Sequence, residues 1–265
     1  MRHTLRGVLP AVAAAGLLGL GACISLDSPN QGGNCAGVGS LTIGVTHLDS
    51  LTTASCRLTD QTWANAYLFH VDSQANLVLS LAAPGGLVTT WLTDSTGAMI
   101  ASSQVTQSPD TTATVRMILG AGSYEVVANS YLTTPPGAFR MTVKRDSTAV
   151  AGPASVVWVT KAITTTQTIT AGDHTDGPLG LKYYYHLFLR WVPSGGQVQL
   201  TEHATAFRPG AQVANLQGAT LAVSSLDSTL SNAVVSYGSL AGDILLLWIG
   251  SADSLQTGPY KLSVN

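Results

Sequence analysis

Two short clusters hold the residue types that most often bind metals or transfer protons. They are the run Asp173-His174-Thr175-Asp176 and the pair Glu202-His203. Neither cluster has the spacing of a metal site, because the chain contains no His-x-x-x-His or His-Glu-x-x-His pattern. The first lies in a polar stretch with glycine, where Asp and His mostly solvate or cap turns. Both clusters are therefore predicted to be polar surface, with no bound metal.

Motifs for nucleophilic catalysis and phosphate binding are missing from the sequence. It contains neither Gly-x-Ser-x-Gly nor Ser-x-x-Lys. No glycine-rich loop connects a strand to a helix, so no nucleotide site is predicted. A triad can assemble from residues far apart in a chain, and an undetected hydrolase stays an alternative. The sequence favours a non-catalytic protein without a cofactor.

The stretch 182–191 has the strongest signs of a binding surface. Alternation along a strand gives it one aromatic and aliphatic face, which is assigned to the core. The opposite face carries Tyr184, His186, Phe188 and Arg190. This row suits a central strand covered by loops, a contact with another domain, or a platform for sugars or a partner. Flat rings beside donors suit sugars and protein hot spots equally, so the row is the candidate binding site.

A second stretch, 244–249, is apolar on both faces of its predicted strand. A strand of this kind must be covered on both sides. We expect the face with Leu245 and Leu247 to pack against the other domain of the chain or against a second subunit.

The N-terminus has the three parts of a secretory signal. Arg2 and Arg6 precede an apolar run from Val8 to Leu20, which ends in small residues. This run is too short and too rich in Gly and Ala for a good membrane-spanning helix. The sequence predicts that residues 1–22 are a signal peptide.

The end of that signal, Leu20-Gly21-Ala22-Cys23, resembles the lipobox of bacterial lipoproteins. The resemblance implies that Cys23 is lipidated, becomes the first residue and holds the chain on a lipid bilayer. Ile24, rather than an aspartate, follows the cysteine. In such lipoproteins this implies the outer membrane, where the chain faces the periplasm or the cell surface.

With Cys23 modified, Cys35 and Cys56 are left. An even number of cysteines in an oxidising compartment suggests one disulfide. This bond would close a loop of about 20 residues and stabilise the fold by about 3 kcal/mol. A zinc site and a thiol nucleophile are weaker alternatives, because the spacing fits no zinc pattern and no histidine is placed for catalysis.

Composition sets further limits. Apolar residues make up 45% of the 265 residues and charged residues only 10%, and the abundance of Thr, Val and Gly favours strands over helices. The formal net charge is -2, and removal of Arg2 and Arg6 makes it more negative. This balance gives no basic footprint for nucleic acid.

Two stretches of similar pattern organise the chain. Residues 121–143 contain a glycine turn, an alternating strand, a second glycine and another alternating strand. The pattern returns at residues 241–264, about 120 residues later, which is one domain length. Between them, residues 146–153 are polar or small and carry no apolar periodicity. We expect a lipidated tether at 23–34, one domain at 35–148 and a related domain at 149–265.

The first copy, over about residues 40–143, resembles the bacterial pre-peptidase C-terminal domain. Four pieces carry this resemblance: Tyr67-x-Phe69-x-Val71, Leu77-x-Leu79-x-Leu81, Asp94-x-x-Gly97 before Met99-Ile100, and Gly122-x-Tyr124 with Gly137-x-Phe139. The second copy is more divergent. Members of this family are small jelly-roll-like β-sandwiches that accompany secreted peptidases or surface proteins and are not themselves catalytic.

Together these patterns predict an all-β protein of two tandem, jelly-roll-like antiparallel β-sandwiches behind a signal peptide and a short tether. Many short, evenly spaced strands separated by turn residues are typical of sandwiches. The expected function is a non-catalytic envelope lipoprotein that presents a binding or scaffolding surface to envelope proteins or polysaccharide. One alternative is a carbohydrate-binding module that uses Tyr184 and Phe188. The other is a hydrolase-associated accessory protein or an undetected hydrolase.

Overall fold

The computed structural model describes residues 39–103, 112–146, 156–176, 183–224 and 231–265. All the secondary-structure elements in these ranges are β-strands. This confirms the predicted all-β class. The described residues form two compact units, one before and one after residues 147–155. The predicted signal peptide, the tether and the boundary at 148/149 lie outside the described residues and stay predictions.

The first unit has ten strands: β1 (Gly39–Ser40), β2 (Thr46–Leu51), β3 (Cys56–Arg57), β4 (Trp63–Val71), β5 (Ala75–Ala82), β6 (Val88–Asp94), β7 (Met99–Ser102), β8 (Thr112–Leu119), β9 (Gly122–Ser130) and β10 (Gly137–Arg145). One sheet has the order β1-β4-β9-β6-β7, with β3 beside β4. The strands of the other layer follow the order β8-β5-β10-β2. Apart from the parallel pair β1 and β4, neighbouring strands are antiparallel.

The second unit also has ten strands: β11 (Val156–Val159), β12 (Ile163–Ile169), β13 (His174–Asp176), β14 (Tyr183–Val192), β15 (Gly196–Ala204), β16 (Pro209–Ala214), β17 (Thr220–Val223), β18 (Asn232–Ser239), β19 (Asp243–Ser251) and β20 (Gly258–Val264). One layer has the order β17-β16-β19-β14-β11, with β13 beside β14, and the other has β12-β20-β15-β18. The parallel pair is β11 with β14, which are the first and fourth strands of this unit, as β1 and β4 are of the first. The two units therefore share one strand order.

Strand register is also shared. Tyr67 lies opposite Val126 in the first unit, and Phe188 lies opposite Leu247 in the second, with 121 residues between counterparts. The same offset relates Leu81 opposite Met141 to Glu202 opposite Leu262. The most central pairs of both layers thus occupy equivalent positions in the two units.

Alternating apolar residues fill the interior between the layers of each unit. In the first unit alternate residues of β4, β5 and β10 are buried: Tyr67, Phe69, Val71, Leu77, Leu79, Leu81, Phe139, Met141 and Val143. In the second unit Tyr260, Leu262 and Val264 of β20 are buried as well. Burial of alternate residues is what the period of a strand requires when one face meets a core.

The prediction for β19 is wrong. Leu245 and Leu247 are fully buried, and they lie beside Arg190 and Phe188 of β14 within one sheet. Directly opposed residues of neighbouring strands share a face. Because Phe188 and the inward-facing β20 residues belong to the same interior, Leu245 and Leu247 pack inside their own unit.

No helix of membrane-spanning length and hydropathy occurs in the part of the chain that the structure describes.

Candidate functional site

The predicted binding row on β14 lies inside the second sandwich. Relative exposure is 8% for Tyr184, 5% for Arg190 and zero for His186 and Phe188. A platform for sugars needs exposed rings, so the alternative that used Tyr184 and Phe188 as a surface is wrong. Of the three interpretations of this row, the structure agrees with a covered strand, but the opposite sheet, with Tyr260 of β20, covers it where loops were expected.

Polar partners inside the sandwich allow this row to point inward. The imidazole of His186 lies beside the ring of Tyr260, with 5.6 Å between centroids. Arg190 donates from Nη1 to the backbone carbonyl oxygen of Asn265 over 3.2 Å, whereas its Nε has no hydrogen-bond partner among the described residues. Burying a polar group costs little only when it is hydrogen-bonded, and Tyr260 of the opposite layer and Asn265 supply partners here.

His186 is the centre of a buried polar cluster. Its Nδ1 lies 2.7 Å from the hydroxyl of Tyr260. Its Nε2 lies 3.1 Å from Oδ2 of Asp173, and both side chains are inaccessible to solvent. A neutral imidazole fits this arrangement, with Nδ1 accepting from the phenol and Nε2–H facing the carboxylate. Burial lowers the pKa of His186, and the charge of Asp173 opposes that shift.

Asp173 is placed by the turn between β12 and β13. Its Oδ2 accepts from the backbone N–H of Thr170 over 2.6 Å and from the Thr170 hydroxyl over 3.0 Å. The neighbouring His174 begins β13 and stacks on Tyr185, with ring centroids 5.3 Å apart. The prediction of a polar surface loop is therefore wrong for Asp173, which is only 3% exposed.

Glu202 adds a second buried acid to the same interior. Its Oε2 accepts from the backbone N–H of Gly210 over 3.2 Å, whereas Oε1 has no hydrogen-bond partner among the described residues. Burial raises the pKa of Glu202 well above its usual range. Burial, together with the charges of Glu202 and Asp173, raises the pKa of Tyr260. His203, the next residue, is exposed, so the two members of this predicted pair point to opposite sides of β15.

The Asp173–His186–Tyr260 cluster with Glu202 can hold protons but has no contact with solvent. Its side chains are 0–3% exposed, so no substrate reaches them in this conformation. No group of three metal-ligating side chains occurs within the described ranges. The arrangement acts on the fold: it fixes how β13, β14, β15 and β20 pack.

Comparison of the two units shows which core positions are apolar in the first unit and polar in the second. At the offset of 121 residues, Glu202 replaces Leu81, Tyr260 replaces Phe139 and Arg190 replaces Phe69. An offset of 121 residues, applied to β14 and β15 as well as to β20, places Arg190 and Glu202 at core positions beside Tyr260.

A different feature occupies one end of the first unit. The aromatic tip consists of Trp63 at the start of β4 and of Tyr131 and Leu132 in the loop after β9. Tyr131 and Leu132 are each 52% exposed. The indole Nε1 of Trp63 donates to the carbonyl of Thr133 over 2.8 Å, and the Arg57 guanidinium lies 5.3 Å from the indole centroid. The loop is thus held in place with its apolar side chains outward.

Cys56 lies at the same end, at the start of β3 and opposite Ala64. Its side chain is buried. Cys23 and Cys35 lie outside the described residues. Lipidation of Cys23 and pairing of Cys35 with Cys56 therefore stay predictions.

Comparison with protein-family models gives no match for this chain, and neither does comparison with curated proteins. Among solved structures, the pre-peptidase C-terminal domain of a Bacillus anthracis collagenase is 17% identical, with a TM-score of 0.35. That alignment covers 43% of this chain and 100% of the collagenase domain. This is the family that the motifs of the first copy resemble.

Two further structures align over more of the chain. The PBSX exported protein XepA is 10% identical over 85% of this chain and 88% of its own, with a TM-score of 0.27. A Paenibacillus sp. cycloisomaltooligosaccharide glucanotransferase is 10% identical over 70% of this chain and 40% of its own, with a TM-score of 0.23. At these values no activity or ligand of those proteins is assigned to this chain.

Proposed function

We propose that the chain is a lipid-anchored, non-catalytic protein of the bacterial envelope. Two β-sandwiches of one module would present surfaces for binding or scaffolding, behind a tether fixed by the lipid on Cys23. The pattern Leu20-Gly21-Ala22-Cys23 supports the anchor. The disulfide expected between Cys35 and Cys56 would suit an oxidising compartment.

The observation that carries the non-catalytic part is the position of the acid and base groups of the second sandwich. Asp173, His186 and Glu202 are buried between the layers, where His186 meets Asp173 and Glu202 accepts from the backbone of Gly210. Catalytic acids and bases must come within hydrogen-bond reach of a substrate. In this unit those residues serve the packing of the fold, and the outer surface is left for partners.

The shared strand order and register support one further part of the proposal, that the domains are copies of one module. Ten strands recur in the same order, with a constant offset of 121 residues at the central pairs. A second copy gives a second surface without a new fold, which suits a scaffolding protein.

Cell fractionation tests the anchor. The full chain and a Cys23→Ala variant are expressed in a Gram-negative host, and inner and outer membranes are separated on a density gradient. We expect the parent chain in the outer-membrane fraction and the variant to be lost from that fraction. A Cys23→Ala variant that reaches the outer membrane to the same extent would rule out lipidation of Cys23 as the anchor.

A further inference from the structure

We propose that the aromatic tip lies against the membrane surface that holds the lipid of Cys23. The inference rests on the proposed function, because it needs the anchor at Cys23. It adds an interaction surface, made of Trp63, Tyr131 and Leu132, and a partner, the interface between lipid headgroups and acyl chains.

The path of the chain points to this end of the first unit. Gly39, the first described residue, enters β1 parallel to β4, and β4 begins at Trp63. Cys56 lies one residue pair from Trp63, because Cys56 opposes Ala64 and Arg57 opposes Trp63. The predicted bond from Cys35 to Cys56 would therefore bring the tether to the same end.

The length of the tether limits how far this end can be from the lipid. Twelve residue steps separate Cys23 from Cys35, and an extended chain spans at most 3.3–3.6 Å per residue, about 40 Å in total. The opposite end of the sandwich is farther from Cys35 by the length of β4, which has 9 residues and is therefore about 30 Å long. A fully extended tether would let either end reach the bilayer, and the aromatic tip is the end nearer to the point where the tether joins the sandwich.

The chemistry of the aromatic tip fits that environment. Tyr and Trp are enriched where a protein meets the membrane interface, since one part of each ring is apolar and the other is polar. Exposed Leu132 offers an apolar side chain to the acyl boundary. Arg57, beside the indole, is a cation that can contact lipid phosphate. Because the loop is bonded to Trp63, the side chains need little ordering on contact.

The opposite end of the same unit supplies a matched control. Val45 precedes β2, is 56% exposed and lies next to Gly44, whose N–H bonds to Val143 near the end of β10. The start of β10 lies instead beside Leu51 and the loop of the aromatic tip. Val45 therefore has similar exposure and apolar character at the other end of the strands.

Quenching by brominated lipids tests the inference. The lipidated full chain and its variants Tyr131→Trp and Val45→Trp are reconstituted into vesicles of phosphatidylethanolamine and phosphatidylglycerol, with and without brominated acyl chains. Flotation and the mass of the N-terminal peptide establish anchoring first. The parent chain has five tryptophans. Its emission is therefore subtracted from that of each variant to give the emission of the added tryptophan. Circular dichroism verifies the fold of each variant.

We expect the bromines to remove most of the emission added at position 131 and to leave that at position 45 unchanged. A chain that floats but shows equal quenching at both positions, or none at position 131, overturns the inference and leaves the anchor intact. A chain that does not float and carries no lipid on Cys23 overturns the proposed function, and the inference with it.

Discussion

At the scale of single residues, the second sandwich differs from the first by polar side chains in its interior. Tyr260 stands where the first unit has Phe139, and Glu202 stands where it has Leu81. Some of these polar groups are paired within the same interior, as the 2.7 Å contact from Tyr260 to His186 illustrates, whereas Oε1 of Glu202 has no hydrogen-bond partner among the described residues. Networks of this kind stabilise a fold only while their members are paired.

Tyr260→Phe tests that dependence. The substitution removes the hydroxyl next to Nδ1 of His186 and leaves a buried imidazole nitrogen without its partner. We expect the second sandwich to lose about 1–3 kcal/mol of unfolding free energy, measured by urea denaturation. Tyr131→Phe, at an exposed tyrosine of the first sandwich, should change the unfolding free energy of that sandwich by less than about 0.5 kcal/mol. Equal effects of the two substitutions would show that the bond to His186 contributes nothing.

The pH dependence of stability follows from two buried groups with opposite shifts. The pKa of Glu202 is raised above its ordinary 4.5, so its contribution to stability is full below that pH and is lost as pH rises toward the folded-state pKa. The pKa of His186 is lowered from 6.5, so its contribution is full above that pH and is lost as pH falls toward the folded-state pKa. Tyr260, Asp173 and His174 are the titratable groups that face this pair.

Glu202→Gln separates the two contributions, since the amide keeps an acceptor for Gly210 but does not titrate. We expect the variant to lose the decline in stability above pH 4.5 and to keep the decline that His186 causes below pH 6.5. Unfolding free energy is measured from about pH 4 to about pH 8. If the variant still lost stability above pH 4.5 to the full extent, a group other than Glu202 would be responsible for that loss.

At the scale of strands, close packing of β14 against β19 depends on Gly250. A Cβ at this position would lie 2.6 Å from the carbonyl oxygen of Tyr184 and 2.6 Å from Cβ of Tyr185. Backbone atoms cannot move aside as a flexible side chain can, so added volume forces the strands apart. The pairing of Tyr185 with Gly250 therefore requires glycine.

Gly250→Ala should destabilise the second sandwich by about 1–3 kcal/mol. Gly238 on β18 is the matched control, because it is also a strand glycine but a Cβ there would meet nothing within 4 Å. Gly238→Ala should be neutral or slightly stabilising, since it reduces the freedom of the unfolded chain. Thermal unfolding of both variants decides the point, and a loss at Gly238 equal to that at Gly250 would contradict the steric explanation.

The same strands show how far sequence reasoning reaches. Alternation shows the inward faces of β10 and β20, because each has apolar residues on one face and mostly polar residues on the other. It failed on β14 and β19. Both faces of these strands are apolar or aromatic, so alternation does not distinguish the inward face from the outward face. Asp173, His186 and Glu202 could not be placed in the core from residue type, since their burial depends on partners that are distant in sequence.

At the scale of the whole molecule, the expected disulfide joins the tether to the first sandwich. Cys56→Ser should lower the unfolding free energy of that sandwich by about 3 kcal/mol, because the unfolded chain gains the freedom of a loop of about 20 residues. The second sandwich should unfold as before. Chemical denaturation followed separately for each domain, with the reduced parent chain as a control, measures both. An unchanged first sandwich would contradict a stabilising cross-link at Cys56.

The central claim is that this is an envelope protein held by a lipid on Cys23, and the N-terminal peptide tests it most directly. The full chain is purified from membranes and its N-terminal peptide is identified by mass spectrometry. We expect a peptide that begins at Cys23 and carries acyl groups. A peptide that begins upstream of Cys23, or that begins at Cys23 without acyl groups, would contradict the account.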